Sequence, residues 1–330
     1  MRIMVIGGAG FIGRHVVRQL SESHDVVVLH RGRTSTPVEA IVADRDHPDE
    51  LKQAIHRVRP DALIDMIPYT ESQARALVEA ARGNTGRLIV VSSADVYRNY
   101  DGLRGKSAAS PDPTPLDEDA PLRETRFPYR GEGHAFDHAD DYDKILVERA
   151  VADFPATVLR LPAVYGPGDG QHRLRAYLQR MALGRPFIVL SYELAGWRWT
   201  RGYVENVAAA IALATSDSRA TGRTFNVGED PTLSEREWGE RIAAAVGWKG
   251  HIITVSPAEL PESLRHPYDW RYDLHTSTQR IRQELGFVDR VSEAEAMRRS
   301  VEWELSQQDE WPKPDYAAED EVLSRSGRLS

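Results

Sequence analysis

The sequence predicts an α/β fold, a doubly wound parallel sheet carrying a smaller C-terminal domain, and three observations predict it. The chain opens on a short apolar run, Ile3 to Ile6, then three glycines at fixed offsets, Gly7, Gly10 and Gly13, then an apolar-periodic segment from Phe11 to Leu20. Further strand-length apolar runs alternate with helical patterns through the first half of the chain. Each run is apolar nearly throughout, as expected of parallel strands covered on both faces rather than one.

Strand, glycine turn and helix together are the context in which this spacing means dinucleotide binding, so the sheet is expected to be of Rossmann type. Glycine lets the backbone turn tightly and approach a pyrophosphate, because no Cβ intervenes. The helix start offers free N–H groups, those of Phe11 and Ile12 among them, and a positive dipole end. Asp25 to Leu29 is the second strand, ending at His30. An acidic residue often stands here to hold the adenosine ribose. This chain has Arg31 and Arg33 instead, which suit a 2′-phosphate and favour NADP, with NAD as the alternative; a solvated basic loop is the bland explanation.

Strands follow at Ala40 to Ala43, Asp61 to Met66 and Arg87 to Ser92, with helices at Pro48 to Val58 and Glu71 to Arg82 between them. The stretch Tyr97 to Pro128, rich in Gly and Pro, reads as a long irregular loop of the kind that often serves as a lid or binding loop. Asp143 to Phe154 reads as a helix and Ala156 to Leu161 as a strand. Helices are then expected at Leu174 to Leu183, Val204 to Ser216, Ser234 to Val246 and Ser292 to Leu305, and the chain from Ser306 as a polar, partly mobile tail.

A net charge of −8 argues against general affinity for nucleic acid or anionic membrane. No apolar run approaches the roughly 20 residues of a membrane helix. The absence of cysteine excludes disulfides, thiolate catalysis and thiolate metal sites. A cytoplasmic protein acting on a small molecule, without metal, nucleic acid or membrane, is the expectation.

Five stretches, GGAGFIG (Gly7–Gly13), SSADVY (Ser92–Tyr97), LRLPAVYGPGD (Leu159–Asp169), RGYVENVAAAI (Arg201–Ile211) and FNVG (Phe225–Gly228), occur in an order and spacing that resembles the extended short-chain dehydrogenase/reductase family, the NAD(P)-dependent epimerase/dehydratase group. The resemblance implies interleaved domains: residues 1–164 and 200–228 for the cofactor, residues 165–199 and 229–310 for the substrate, and 311–330 as the tail. It implies a homodimer through the helices Glu71 to Arg82 and Asp143 to Phe154. It also places Asp44 near the adenine ring, although a plain strand-end turn residue is an equal alternative.

In this family a hydride moves between a sugar carbon and nicotinamide while a tyrosine exchanges the hydroxyl proton. A lysine four residues later lowers the tyrosine pKa and holds the cofactor ribose, and a serine bonds the sugar oxygen. Ser93 matches the serine, and Lys144 matches the lysine. The tyrosine position holds Asp140, in HADDYDK. An unperturbed aspartate carboxyl, with its reference pKa near 3.9, is a poor proton donor. Tyr142 stands only two residues from Lys144, which a regular helix turns to the opposite side, unless the helix start is irregular. Tyr97, Tyr129, His134 and His138 are further candidates, the histidines because they titrate near neutrality. Ala163 stands where nucleotide-sugar members often carry an asparagine; Arg173, Arg175, Arg201 and Arg271 are candidate anion ligands, Arg201 being best matched. Two functions follow: an NADP-using enzyme acting at a carbinol or ketone carbon of a sugar-like, nucleotide-sugar or polyketide-like substrate, with Ser93, Lys144 and Tyr142 catalytic and Arg201 and Arg271 binding substrate, or a catalytically weakened NADP-binding regulatory or interaction protein.

Overall fold

The computed structural model describes residues 1–32, 36–134 and 136–325. Strand β1 (Arg2–Ile6) leads through the glycine turn into helix α1 (Gly13–Leu20), then β2 (Asp25–His30) and β3 (Glu39–Val42). Helix α2 (Pro48–Val58), β4 (Ala62–Asp65), α3 (Glu71–Ala81), β5 (Arg87–Ser93), α4 (Arg98–Leu103), α5 (Lys144–Val151) and β6 (Thr157–Leu161) follow. Seven parallel strands among the described residues form one sheet in the order β10-β6-β5-β4-β1-β2-β3, where β10 is Thr224–Asn226. The order reverses at β1, which has β2 on one side and β4 on the other. A crevice therefore opens at the carboxyl end of β1, where the glycine turn sits.

Alternation along the strands builds two cores. Ile3, Val5, Val26 and Val28 face one apolar cluster; Met4, Ile6, Val27 and Leu29 face the other. The first face is covered by α1 and by α8 (Val204–Ser216), whose run VENVAAAIALATS is buried nearly all round. The second is covered by α2, α3 and α5. Local signals set the helix ends: Pro48 occupies the first turn of α2, and Thr70 with Gln73 forms a capping box at α3.

The second half adds β7 (Ala163–Tyr165), α6 (Arg175–Ala182), β8 (Phe187–Ser191), α7 (Tyr192–Gly196), β9 (Arg201–Tyr203), α9 (Glu235–Val246), β11 (His251–Val255), α10 (Gln279–Leu285) and α11 (Glu293–Ser306). Strand β8 pairs with β11, and β7 with β9. After Ser306 the described part of the expected polar, partly mobile tail contains a docked helix. Helix α12 (Ala317–Arg325) packs Val322 and Leu323 against Val189, Ile253 and Leu260, and its Glu319 pairs with Arg180. Two apolar side chains in an otherwise polar stretch suffice to dock it, each contributing roughly 1.5–3 kcal/mol when fully buried. Among the described residues no helix is long and apolar enough to cross a membrane.

Candidate active site

The glycine turn has the shape its sequence requires. Gly7 has φ +78°, and its carbonyl oxygen would lie 2.2 Å from a Cβ on Gly13, so only glycine fits at residue 13. At Gly10 a Cβ would meet only the Gly7 oxygen, at 3.3 Å, a tight contact but a milder one than at Gly13. Among the described residues the N–H groups of Phe11, Ile12 and Gly13 have no hydrogen-bond partner, and no side chain caps α1. Open donors at a helix start beside a glycine-lined space fit a pyrophosphate.

Around this turn, Arg31 is exposed and its guanidinium pairs with Asp137 at 2.8 Å. Arg33 lies outside the described residues. Asp44, half-buried at the end of β3, accepts the Asp46 N–H through its carboxylate at 3.0 Å. The next residue, Arg45, is buried and paired with Asp65 at 2.8 Å, an ion pair beneath the crevice that a strand-end DRD pattern does not announce.

The reactive cluster gathers at the carboxyl end of β5. Helix α5 starts only at Lys144, because Asp143 caps it, accepting from the N–H groups of Ile145 and Leu146. Buried Arg123 holds Asp143 in place at 3.0 Å. Tyr142 therefore precedes the helix in extended conformation, and the two-residue spacing no longer turns it away from Lys144. The Lys144 Nζ sits 5.6 Å from the Tyr142 ring centroid and donates to the carbonyls of Pro68 (2.9 Å) and Val91 (3.0 Å). The Tyr142 hydroxyl donates to Asp95 Oδ2 at 2.7 Å; Tyr129 donates to the same oxygen at 3.2 Å, and Tyr100 to Tyr129 at 2.9 Å.

The electrostatics differ from the simple expectation that a lysine pulls the tyrosine pKa down. Burial and the Asp95 carboxylate push Tyr142 well above its usual value, while a hydrogen bond toward Ser93 works in the other direction. Burial lowers the Lys144 ammonium to about 8, with Asp65 and Asp95 opposing the drop.

The other candidates separate clearly. Tyr129 and His134 line the same cavity as Ser93, Asp95 and Tyr142. Tyr97 is fully buried elsewhere, its hydroxyl bonded to Asn226 at 2.6 Å. His138 pairs with Asp46 at 2.9 Å outside that cavity. Asp140 is exposed and accepts the Gly131 N–H at 2.8 Å, away from the cavity. Asp95 is the residue that sequence reasoning passed over; a carboxylate two positions after Ser93 in SSADVY was the available signal.

The cavity encloses about 1420 Å³ and runs from this cluster to the aromatic faces of Trp197, Trp199, Trp270 and Tyr268. Neither Arg201 nor Arg271 lines it. Arg201 is buried and paired with Glu235, and Arg271 is exposed and paired with Asp269 at 2.6 Å, so both expected substrate charges are already matched within the chain. Arg175 likewise pairs with Glu304 at 3.1 Å. Arg173 does line the cavity, paired with Asp169 at 2.9 Å.

A switch-point glycine turn, with a serine and a tyrosine on one cavity and a lysine behind the tyrosine ring, is the arrangement expected of a nicotinamide-dinucleotide enzyme of the α/β class. Residues 3–228 match the model of the NAD dependent epimerase/dehydratase family, and the chain belongs to that family. It is 29% identical over 311 residues to 2'-dehydrokanamycin reductase of Streptomyces kanamyceticus, covering 88% of this chain and 79% of the relative. It is 25% identical over 338 residues to dTDP-glucose 4,6-dehydratase of Streptomyces niveus, covering 92% of each. The fold matches UDP-glucose 4-epimerase of Thermus thermophilus in complex with NAD, with TM-score 0.64, 21% identity and coverage of 92% of this chain and 99% of that one. The protein is thus an enzyme of the NAD(P)-dependent epimerase, dehydratase or reductase type.

Proposed function

We propose that the protein is an NADP-using enzyme that works in the reductive direction on a ketone carbon of a sugar-like substrate. The observation that carries this is the meeting of Ser93, Tyr142 and Asp95 in one cavity, with Lys144 beneath the Tyr142 ring. Bound NADPH supplies the hydride. Ser93 Oγ donates a hydrogen bond to the ketone oxygen, and Tyr142 gives that oxygen its proton as the carbon becomes a carbinol. Burial and Asp95 keep the proton on Tyr142 at neutral pH, which is the state reduction needs. Lys144 holds the nicotinamide ribose. Phe11, Ile12 and Gly13 bind the pyrophosphate through their backbone, Arg31 and Arg33 the 2′-phosphate, and Asp44 faces the adenine. The reductase among the relatives supports the direction, and the sugar-nucleotide dehydratase supports the substrate class. Tryptophan faces along the cavity support it too, since sugar rings stack on aromatic faces through their C–H edges.

Residues 165–199 and 229–310, with helix α12, make up the substrate half, and the protein acts as a homodimer through the outer faces of α3 and α5. NADPH oxidation in the presence of a panel of keto-sugars tests the function, with Ser93→Ala, Tyr142→Phe and Lys144→Ala each expected to lose most of the rate. No oxidation with any keto-sugar, and no reduction of NADP by the matching alcohols, would remove the proposal.

A further inference from the structure

Asp95 has one carboxylate oxygen occupied and one free. Oδ2 accepts from both Tyr142 and Tyr129, whereas Oδ1 is buried and has no hydrogen-bond partner among the described residues. The residue is only 6% exposed, and it lines the cavity beside Ser93. Its backbone is fixed on both sides: its N–H donates to Ser93 Oγ at 3.2 Å, and its carbonyl accepts from Arg123 Nε at 3.0 Å. The side chain is fixed as well, by two phenols on Oδ2. The nearby cations are committed elsewhere, Arg104 to Glu132 and Tyr100, Lys144 to the Pro68 and Val91 carbonyls. A carboxylate oxygen held out of water with no donor is costly, and native structures rarely leave one so without a reason.

We propose that Asp95 is a substrate-binding residue whose Oδ1 accepts a hydrogen bond from a hydroxyl or ammonium group on the carbon next to the reacting one. The geometry follows from the small size of a carboxylate. Tyr142 keeps its hydroxyl beside Oδ2 and turns its single proton from Oδ2 to the reacting oxygen when substrate binds, so a donor that meets Oδ1 at the same time sits on a neighbouring carbon. This rests on the assignment of Ser93 and Tyr142 to the reacting oxygen, and it deepens that assignment by naming a required substrate group. A site built to receive a donor rejects analogues that lack it, because the buried acceptor is then left unpaired.

The test uses the NADP-loaded protein titrated with methyl glucoside, its ring monodeoxy analogues and its ring amino analogues. In the wild type one monodeoxy analogue binds roughly tenfold to a hundredfold more weakly than the parent, the range expected for a hydrogen bond to a charged group. An amino analogue at that carbon binds as well as the parent or better. In Asp95→Asn the two phenols claim the amide oxygen, the NH₂ group faces the substrate, and the parent-to-deoxy ratio falls toward one. Tyr142→Phe retains the Tyr129 phenol on Oδ2 to hold Asp95 and should keep the ratio, which separates a substrate contact from a merely structural effect of Asp95 on its neighbours. The proposal is overturned if methyl glucoside does not bind, if no deoxy analogue binds worse than the parent, or if the ratio survives in Asp95→Asn. Absence of hydride transfer with an intact, Asp95-dependent ratio would instead remove the reductase assignment and leave this site standing.

Discussion

Lys144 is a buried ammonium whose cost is readable as a pH-dependent stability. Burial lowers its pKa from 10.5 to about 8. At 1.36 kcal/mol per pK unit, the folded state carries about 3 kcal/mol of charging cost when the lysine is protonated. Below pH 8 the lysine is charged in both states and the cost is present in full. Between about 8 and 10.5 the unfolded chain binds a proton that the folded one has lost, so stability rises with pH as the cost is relieved. Lys144→Met removes the group. Its Pro68 and Val91 carbonyls lose a donor, at about 1 kcal/mol each, but that loss is nearly the same at every pH. The stability difference between variant and wild type should therefore shift by up to about 3 kcal/mol, against the variant, between about pH 7 and about pH 10. Urea unfolding at both values reads it, since the other titrating groups are common to the two proteins and largely cancel. A difference that stays constant, or that moves in favour of the variant as pH rises, refutes the reasoning.

Other consequences follow from the cofactor crevice and the outer helices. Arg31→Ala should weaken NADP binding about tenfold while leaving NAD affinity nearly unchanged, the loss of one charge-assisted hydrogen bond; calorimetry with both cofactors reads it. Gly10→Val should abolish cofactor binding with the fold intact, because its Cβ meets only the Gly7 oxygen and the added methyls fill the pyrophosphate space; circular dichroism and cofactor titration together check this. Sedimentation at micromolar concentration should show a dimer, and Arg75→Glu with Arg149→Glu, at exposed positions of α3 and α5, should convert it to monomer.

The sheet was legible because its strands are buried on both faces, so apolar runs such as Val26 to Leu29 stand out against polar connections. Helix α8 matched its expected bounds, Val204 to Ser216, for the same reason. The glycine turn was legible because each glycine answers a steric demand, most severely at Gly13. Tyr142 was harder to place. Helical spacing alone turns it away from Lys144, and only the Asp143 cap, secured by Arg123 from a distant loop, makes the segment extended. Arg123 and the Arg45–Asp65 pair are long-range partners with no local periodicity, so a linear pattern does not reveal them. Helix α12 escaped for the opposite reason: Val322 and Leu323 are too few to make a pattern, yet a receptive surface formed by Val189, Ile253 and Leu260 is enough to fix them.

The most direct test of the proposed chemistry compares Tyr142→Phe with Asp140→Asn in single-turnover NADPH oxidation on a keto-sugar that the wild type reduces. Tyr142→Phe should lower the hydride-transfer rate by roughly 10²–10⁴ with NADPH affinity unchanged, and Asp140→Asn, exposed and outside the cavity, should leave the rate close to wild type. A Tyr142→Phe protein that reduces the substrate at the wild-type rate, or an Asp140→Asn protein that is the more damaged of the two, would contradict the assignment of Tyr142 as the group that moves the proton.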